Sequence, residues 1–227
     1  MATAEKAKNR ITEVNGVQGS SEHKVLTISA PKFEVLVSTI VGTAPLVINA
    51  FSRKALDKMK QAQLAGSQAK KGGKREAKDF QAAYEGAKHI SEEGWCGIPA
   101  TSFRAAMISA CRLVGFKMTH AKLGIYIQAD GYDVIDGTAL VRITKGEPRY
   151  VEHAVRNATG VADIRARPMW NVGWESVVRI RYDSDMFCGL DVANLLSRVG
   201  MQVGIGEGRP DSKDSCGLGW GLFDIKE

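Results

Sequence analysis

The first sustained apolar and β-branched run, Lys32 to Gly42 (KFEVLVSTIVG), predicts an interior strand that continues through Thr43-Ala44-Pro45 into Leu46-Val47-Ile48. Residues 1 to about 24 are polar and aperiodic, as expected of a flexible arm, so one domain is expected over 25–227. Helical spacing then appears from Phe51 to Leu64 (Ala55, Leu56, Met59, Ala62 or Gln63) and from Ala77 to Ile90 (Phe80, Ala83, Tyr84, Ala87). The clearest helix runs from Thr101 to Gly115. Thr101 or Ser102 is the expected N-cap, Phe103, Met107, Ala110 and Val114 form its apolar stripe, and Gly115 ends it.

Strands are predicted over Leu123–Gln128, Leu140–Ile143 and Trp174–Tyr182, the last with Val178, Ile180 and Tyr182 on one face and Arg179 and Arg181 on the other. Residues 145–170 read as basic and irregular. A second clear helix spans Asp191 to Val199, with Leu195, Leu196 and Val199 apolar, and an aromatic strand ends near Ile225. The order strand, helix, strand, strand, helix, strand, with insertions at about 51–94 and 144–172, predicts an α+β fold of the ferredoxin-like (RRM-like) βαββαβ kind.

Between the last helix and the last strand lies the densest glycine stretch, with six glycines from Gly204 to Gly221. One reading is a long connection that needs positive φ and tight turns; the other is a backbone approaching something closely. A dinucleotide fingerprint is excluded. Gly204-Ile205-Gly206-Glu207-Gly208 has the wrong spacing, and Pro210 and Asp211 follow where a helix should open. No Gly-Lys-Ser or Gly-Lys-Thr is present either.

Charge is concentrated. Arg53 to Lys78 holds nine basic residues against two acidic ones, in a chain whose formal net charge is +6. Such a segment is either a solvated face or a partner site for phosphates, with Arg53, Lys54, Lys70, Lys71, Lys74 and Arg75 as candidates. The second basic stretch contributes His153, Arg156, Arg165 and Arg167, with Tyr150, Trp170 and Trp174 as stacking surfaces or, more commonly for such residues, core. His153 has Glu152 as its sole adjacent acid, which favours a solvated or nucleic-acid-contacting histidine over a catalytic one. Arg104 in the first turn of its helix opposes the helix dipole, so it answers either to an external anion or simply to solvent.

Four cysteines without a Cys-x-x-Cys pair and four scattered histidines argue against structural zinc. The aspartates of Asp130-Gly131-Tyr132-Asp133-Val134-Ile135-Asp136-Gly137 are not spaced as a calcium loop and predict turns instead. No cofactor is expected. With no apolar leader and no run of ~20 apolar residues, the composition points to the cytoplasm of a bacterial host and to no membrane partner.

Three landmarks, Gly42-Thr43-Ala44-Pro45-Leu46-Val47-Ile48, Ile98-Pro99-Ala100-Thr101-Ser102-Phe103-Arg104 and the glycine loop before the last strand, together resemble the RAMP superfamily. Within it the chain is most similar to the Cas7-like backbone subunits of CRISPR effector complexes and to Cas7-like proteins of bacteriophages, over roughly residues 33–225. The family's helix typically opens Ile-Pro-Gly-Ser-Ser-Leu-Lys/Arg, and Ala100 replaces its glycine here. The resemblance implies that Thr101, Ser102 and Arg104 face a nucleic-acid backbone and that the glycine loop, through Gly206, Gly208 and Arg209, lets that backbone approach the palm. It further implies that the insertions act as finger and thumb, and that subunits stack head to tail into a filament. Relatives that cut RNA use an aspartate after the first strand. Gly42 to Lys54 contains no acid, and Asp57 is the only nearby candidate.

The expectation is therefore a non-catalytic, self-associating protein that coats single-stranded RNA or DNA, RNA preferred, through its phosphates, with other CRISPR-like or phage replication proteins as further partners. The alternatives are a phage single-stranded DNA-binding or annealing protein, a metal-dependent endoribonuclease, and a structural or decoy assembly protein.

Overall fold

The computed structural model describes residues 28–51, 53–66, 77–156, 162–212 and 218–226. The β-branched run forms β1 (Phe33–Gly42), followed by the two-residue β2 (Leu46–Val47). Two helices, α1 (Arg53–Ala65) and α2 (Phe80–Glu85), precede β3 (Gly97–Pro99), which runs directly into α3 (Ala100–Ala110). A 3-10 turn over Cys111–Val114 prolongs α3 and stops at Gly115, whose φ of 68° is left-handed. Then come α4 (Met118–Gly124), β4 (Ile125–Gln128), β5 (Gly131–Tyr132) and β6 (Ala139–Lys145). A hairpin of β7 (Arg149–Arg156) and β8 (Ala162–Trp170) leads to β9 (Glu175–Asp183), α5 (Gly189–Arg198) and β10 (Phe223–Ile225).

The result is an α+β architecture with two antiparallel sheets. In the larger, β1 lies between β10 and β9, with Phe33 opposite Asp183 and Ile40 opposite Ile225. The other edge of β9 is shared, β4 taking Arg179–Tyr182 and β6 taking Glu175 and Ser176. β3 and β5 extend the sheet along β6. The smaller sheet is β2-β8-β7, joined to the larger through the short link from β1 to β2.

One face of the large sheet carries α3 and α5, and the strand alternation divides accordingly. Val178, Ile180 and Tyr182 point inward with Ile40, against Phe103, Met107, Leu196 and Phe223. On the opposite face Val35 and Val37 remain 49% and 57% exposed, across from Arg181 and Arg179. The indole of Trp174 is fully buried and donates from Nε1 to Ala44 O at 2.9 Å, fixing the exit of β1. Trp170 is core as well.

Several sequence expectations need correction. The helix expected over Ala77–Ile90 shrinks to α2, because the chain is drawn into an extended bridge, Ile90 to Cys96, with His89 O accepting from Gly97 N. Neither Thr101 nor Ser102 caps α3. Pairing of β3 with β6 keeps the chain extended up to Pro99, which becomes the N-cap without a side-chain hydrogen bond, so both hydroxyl residues already lie inside the helix. Leu123 and Gly124 belong to α4 rather than to a strand. Within the stretch expected to be irregular, Arg149–Arg156 and Ala162–Trp170 form a regular ladder, Arg149 opposite Met169 through Arg156 opposite Ala162; histidine and arginine at alternate positions conceal its period. Val114 is 49% exposed, and α1 forms where predicted but leaves Met59 and Leu64 at 49% and 79%.

The aspartate-rich turn behaves as turn chemistry predicts: Asp133 accepts from Ile135 N at 2.7 Å and Asp136 from Thr138 N at 2.9 Å. Among the described residues no helix is long and apolar enough to cross a membrane, and no cluster of metal-ligating side chains occurs. Cys96, Cys111 and Cys188 are free thiols, and Cys188 caps α5 in a reciprocal pair with Asp191.

Docking of β10 on the turn after α5 depends on Gly200, where an added Cβ would lie 2.1 Å from Phe223 O. Gly200→Ala is expected to cost ~2–4 kcal/mol, read as a lower urea midpoint at unchanged slope.

Candidate nucleic-acid interface

Three walls built from distant parts of the chain enclose a groove of about 1530 Å³. The first is the start of α3, with Pro99, Thr101, Ser102 and Ala105; the second is the glycine loop from Val203 to Ser212; the third is the β7–β8 hairpin, with His153, Val155 and Arg165. His89, Asn49 and Trp220 complete the lining. The first turn of α3 has no acidic residue and no side-chain cap, so its free N–H groups lie at the groove.

The glycine loop is shaped by the protein's own backbone. Gly206, at φ 77°, has Val47 O 2.4 Å from the position a Cβ would occupy, and at Gly221, φ 70°, Ile205 O would be 1.8 Å away. Hydrogen bonds from Glu207 N to Val47 O (2.8 Å) and from Gly221 N to Pro45 O (2.7 Å) bind the loop to β2. Its far end is held to α3, where Asp211 accepts from the Ser109 hydroxyl and from Arg112 Nη2 (2.7 Å). The close approach inferred from glycine density is thus first an approach to β2. Gly206 and Gly208 line the groove while serving that packing.

Glu207 is the electrostatic centre. Its carboxylate receives Arg165 Nη1 at 2.8 Å and Arg167 Nε at 2.7 Å, with His153 Nε2 3.9 Å away. Burial pushes the carboxyl up, but the neighbouring His153, Arg167 and Arg165 outweigh it and hold the pKa at about 2. Among the described residues neither ring nitrogen of His153 has a hydrogen-bond partner, and the ring stands edge-on to Trp220 at 5.1 Å.

The sequence candidates therefore separate. Thr101, Ser102, His153, Arg165, Gly206, Gly208 and Arg209 meet in the groove, where Arg209 Nη1 donates to Gly206 O at 3.0 Å. Arg167 is engaged by Glu207 and by Ala166 O. Arg104 does not line the groove: its Nε donates to Ile125 O at 2.9 Å and its Nη2 to Lys122 O, and its cation lies 5.3 Å from the Tyr126 ring. The dipole it answers is the C-terminal end of α4, so an external anion is not required. Arg53 and Lys54 open α1, and Arg156 closes β7. Lys70, Lys71, Lys74 and Arg75 lie outside the described residues. Asp57 is exposed on α1. Tyr150, half-exposed, packs edge-on against Tyr84 at 5.3 Å.

Sequence reading missed two groove features. Glu207 was visible only as negative charge in a loop, since its arginines lie 42 and 40 positions away. His89 fell inside an expected helix, whereas its Nδ1 lies 2.7 Å from Asp133 Oδ2 in a buried pair. No local pattern announces a partner 44 residues distant.

Because the Glu207 pKa falls on folding, its contribution is fully present above the unfolded value near 4.5 and is lost as pH drops toward about 2. Glu207→Gln should cost about 3 kcal/mol at neutral pH, and the gap to wild type should narrow through that window in chemical unfolding followed from pH 6 to 2. The chain matches no known family model and no curated protein.

Proposed function

We propose that the protein is a non-catalytic binder of single-stranded nucleic acid, RNA in preference, whose strand lies in the groove between α3, the glycine loop and the β7–β8 hairpin. The observation that carries this reading is the uncapped start of α3 opening on the groove, where free N–H groups await an anionic ligand. Arg209, itself at the groove, adds a cation, and the peptide groups of the loop come within reach. Because Glu207 and Asp211 neutralise much of the local arginine charge, affinity rests on directed donors and shape as well as on net charge.

The fold is read as a ferredoxin-like palm of the RAMP, Cas7-like kind. In its support, the core β1, α3, β4, β9, α5, β10 follows the βαββαβ order, with β10, β1, β9 and β4 side by side and antiparallel. On this reading the α1–α2 region would serve as finger and the β7–β8 hairpin as thumb, and an ion pair from Lys78 Nζ to Asp163 at 2.9 Å joins the two regions. Copies assemble head to tail along the strand, each extending the groove of the next. One observation favours the decoy reading instead, a protein that assembles without nucleic acid: the arginine pair faces an internal carboxylate.

Thr101→Glu decides between them. Thr101 is exposed in the first turn of α3, so a carboxylate there suits the helix dipole and leaves thermal stability unchanged or slightly raised. It also occupies the anion position. Affinity for single-stranded RNA, measured by fluorescence anisotropy, should fall about tenfold, ~1.4 kcal/mol. Undiminished affinity would place the strand elsewhere, and wild type that assembles but binds no nucleic acid would establish the decoy reading.

A further inference from the structure

Among the described groove residues, His89 has surroundings built like those of a working imidazole. Its side chain is 9% exposed and that of Asp133 2%, so both are withdrawn from bulk water. The Nδ1–Oδ2 distance is 2.7 Å, and the other carboxylate oxygen of Asp133 is held by Ile135 N at 2.7 Å. The ring is further located by the backbone, since His89 O accepts from Gly97 N at 3.0 Å, two residues before the start of the α3 wall. His89 lines the groove, and Nε2 has no hydrogen-bond partner among the described residues.

Chemistry follows from the tautomer. A carboxylate only accepts hydrogen bonds, so in the neutral imidazole the proton sits on Nδ1 and faces Asp133. Nε2 then presents a lone pair toward the groove that His89 lines. Phosphate oxygens are acceptors and cannot satisfy it. A hydroxyl can.

We propose that His89 Nε2 accepts a hydrogen bond from a ribose 2′-hydroxyl of the strand in the groove, and so selects RNA over DNA. This rests on the reading of the groove as a single-strand site. The 2′-hydroxyl is the group by which RNA and DNA differ at a given sugar, and a buried, pre-oriented acceptor left unmatched by deoxyribose produces discrimination. Asp133 acts as a positioning residue, and Ile135 N in turn orients Asp133.

Two substitutions separate this role from a structural one. His89→Asn retains a donor toward Asp133 at the Nδ1 position but has no nitrogen at the Nε2 position. Asp133→Asn keeps an oxygen for Ile135 N and turns its amide donor to the ring, which moves the imidazole proton to Nε2 and converts the acceptor into a donor. The probes are an oligouridine of about 15 nucleotides and the same oligomer with 2′-deoxy or 2′-fluoro sugars, the last being RNA-like in pucker without the hydroxyl donor.

Wild type is expected to favour the ribose oligomer over both others by about three- to tenfold, the range one hydrogen bond supplies. Both variants, confirmed as folded by near-ultraviolet circular dichroism and melting, should bring that ratio close to one through weaker binding of the ribose oligomer. Long-range nitrogen–proton spectra should show the His89 proton on Nδ1 in wild type and on Nε2 in Asp133→Asn. Oligouridine binding with no preference, or a preference that survives in folded His89→Asn, overturns the inference and leaves the groove reading standing. Failure of wild type to bind any of the three overturns both.

Discussion

The structure depends on how closely one loop can approach one strand. β2 is only two residues long, yet it pairs with β8 through Leu46 and Trp170 on one side and receives the glycine loop on the other. At Gly206 there is no room for a side chain between the loop and Val47 O. That contact places the next residue, Glu207, beneath the arginines of β8. A shift of the loop by even a methyl group would separate the carboxylate from both guanidiniums, in surroundings where an unpaired charge is costly. Backbone packing and electrostatics therefore constrain each other, and the groove is the space they leave between the loop, the hairpin and α3.

The same arrangement decides how the site can bind. Arg165 and Arg167 give their first donors to Glu207, and Arg112 gives one to Asp211, so the groove is not the strongly cationic channel that residue counts alone would indicate. What faces the groove instead is an ordered set of N–H groups at the start of α3, a partly engaged Arg209, and an imidazole held by a buried aspartate. Such groups are fixed before a ligand arrives. Pre-organisation reduces the ordering cost of binding, and fixed donors and acceptors discriminate by pattern rather than by charge.

Much of the fold was legible along the chain. The Phe103, Met107, Ala110 stripe is buried as read, Val178, Ile180 and Tyr182 face inward as read, and Trp170 and Trp174 are core. Part of the site was legible too, since Thr101, Ser102, His153, Arg165 and Arg209 do converge. The failures share a cause. The sequence leaves Arg104 between an external anion and solvent, because nothing local announces the helix end it meets, the carbonyls of Lys122 in α4 and of Ile125 just after it. The β7–β8 ladder reads as irregular because its inward positions include His153 and Arg165 beside Val151 and Val155, and apolar alternation is the signal for a strand.

The sequence by itself determined the principal elements, β1, α3, β9 and α5, and that one loop must be built from glycine, because periodicity and positive φ are properties of a few consecutive residues. The tertiary structure alone decided what each charged or titratable side chain faces. Glu207 meets Arg165 and Arg167, and His89 meets Asp133, across some forty residues. Those meetings exist only once sheet register and loop packing have brought the segments together, and the pairing of a buried charge is set by geometry, not by neighbours in the chain.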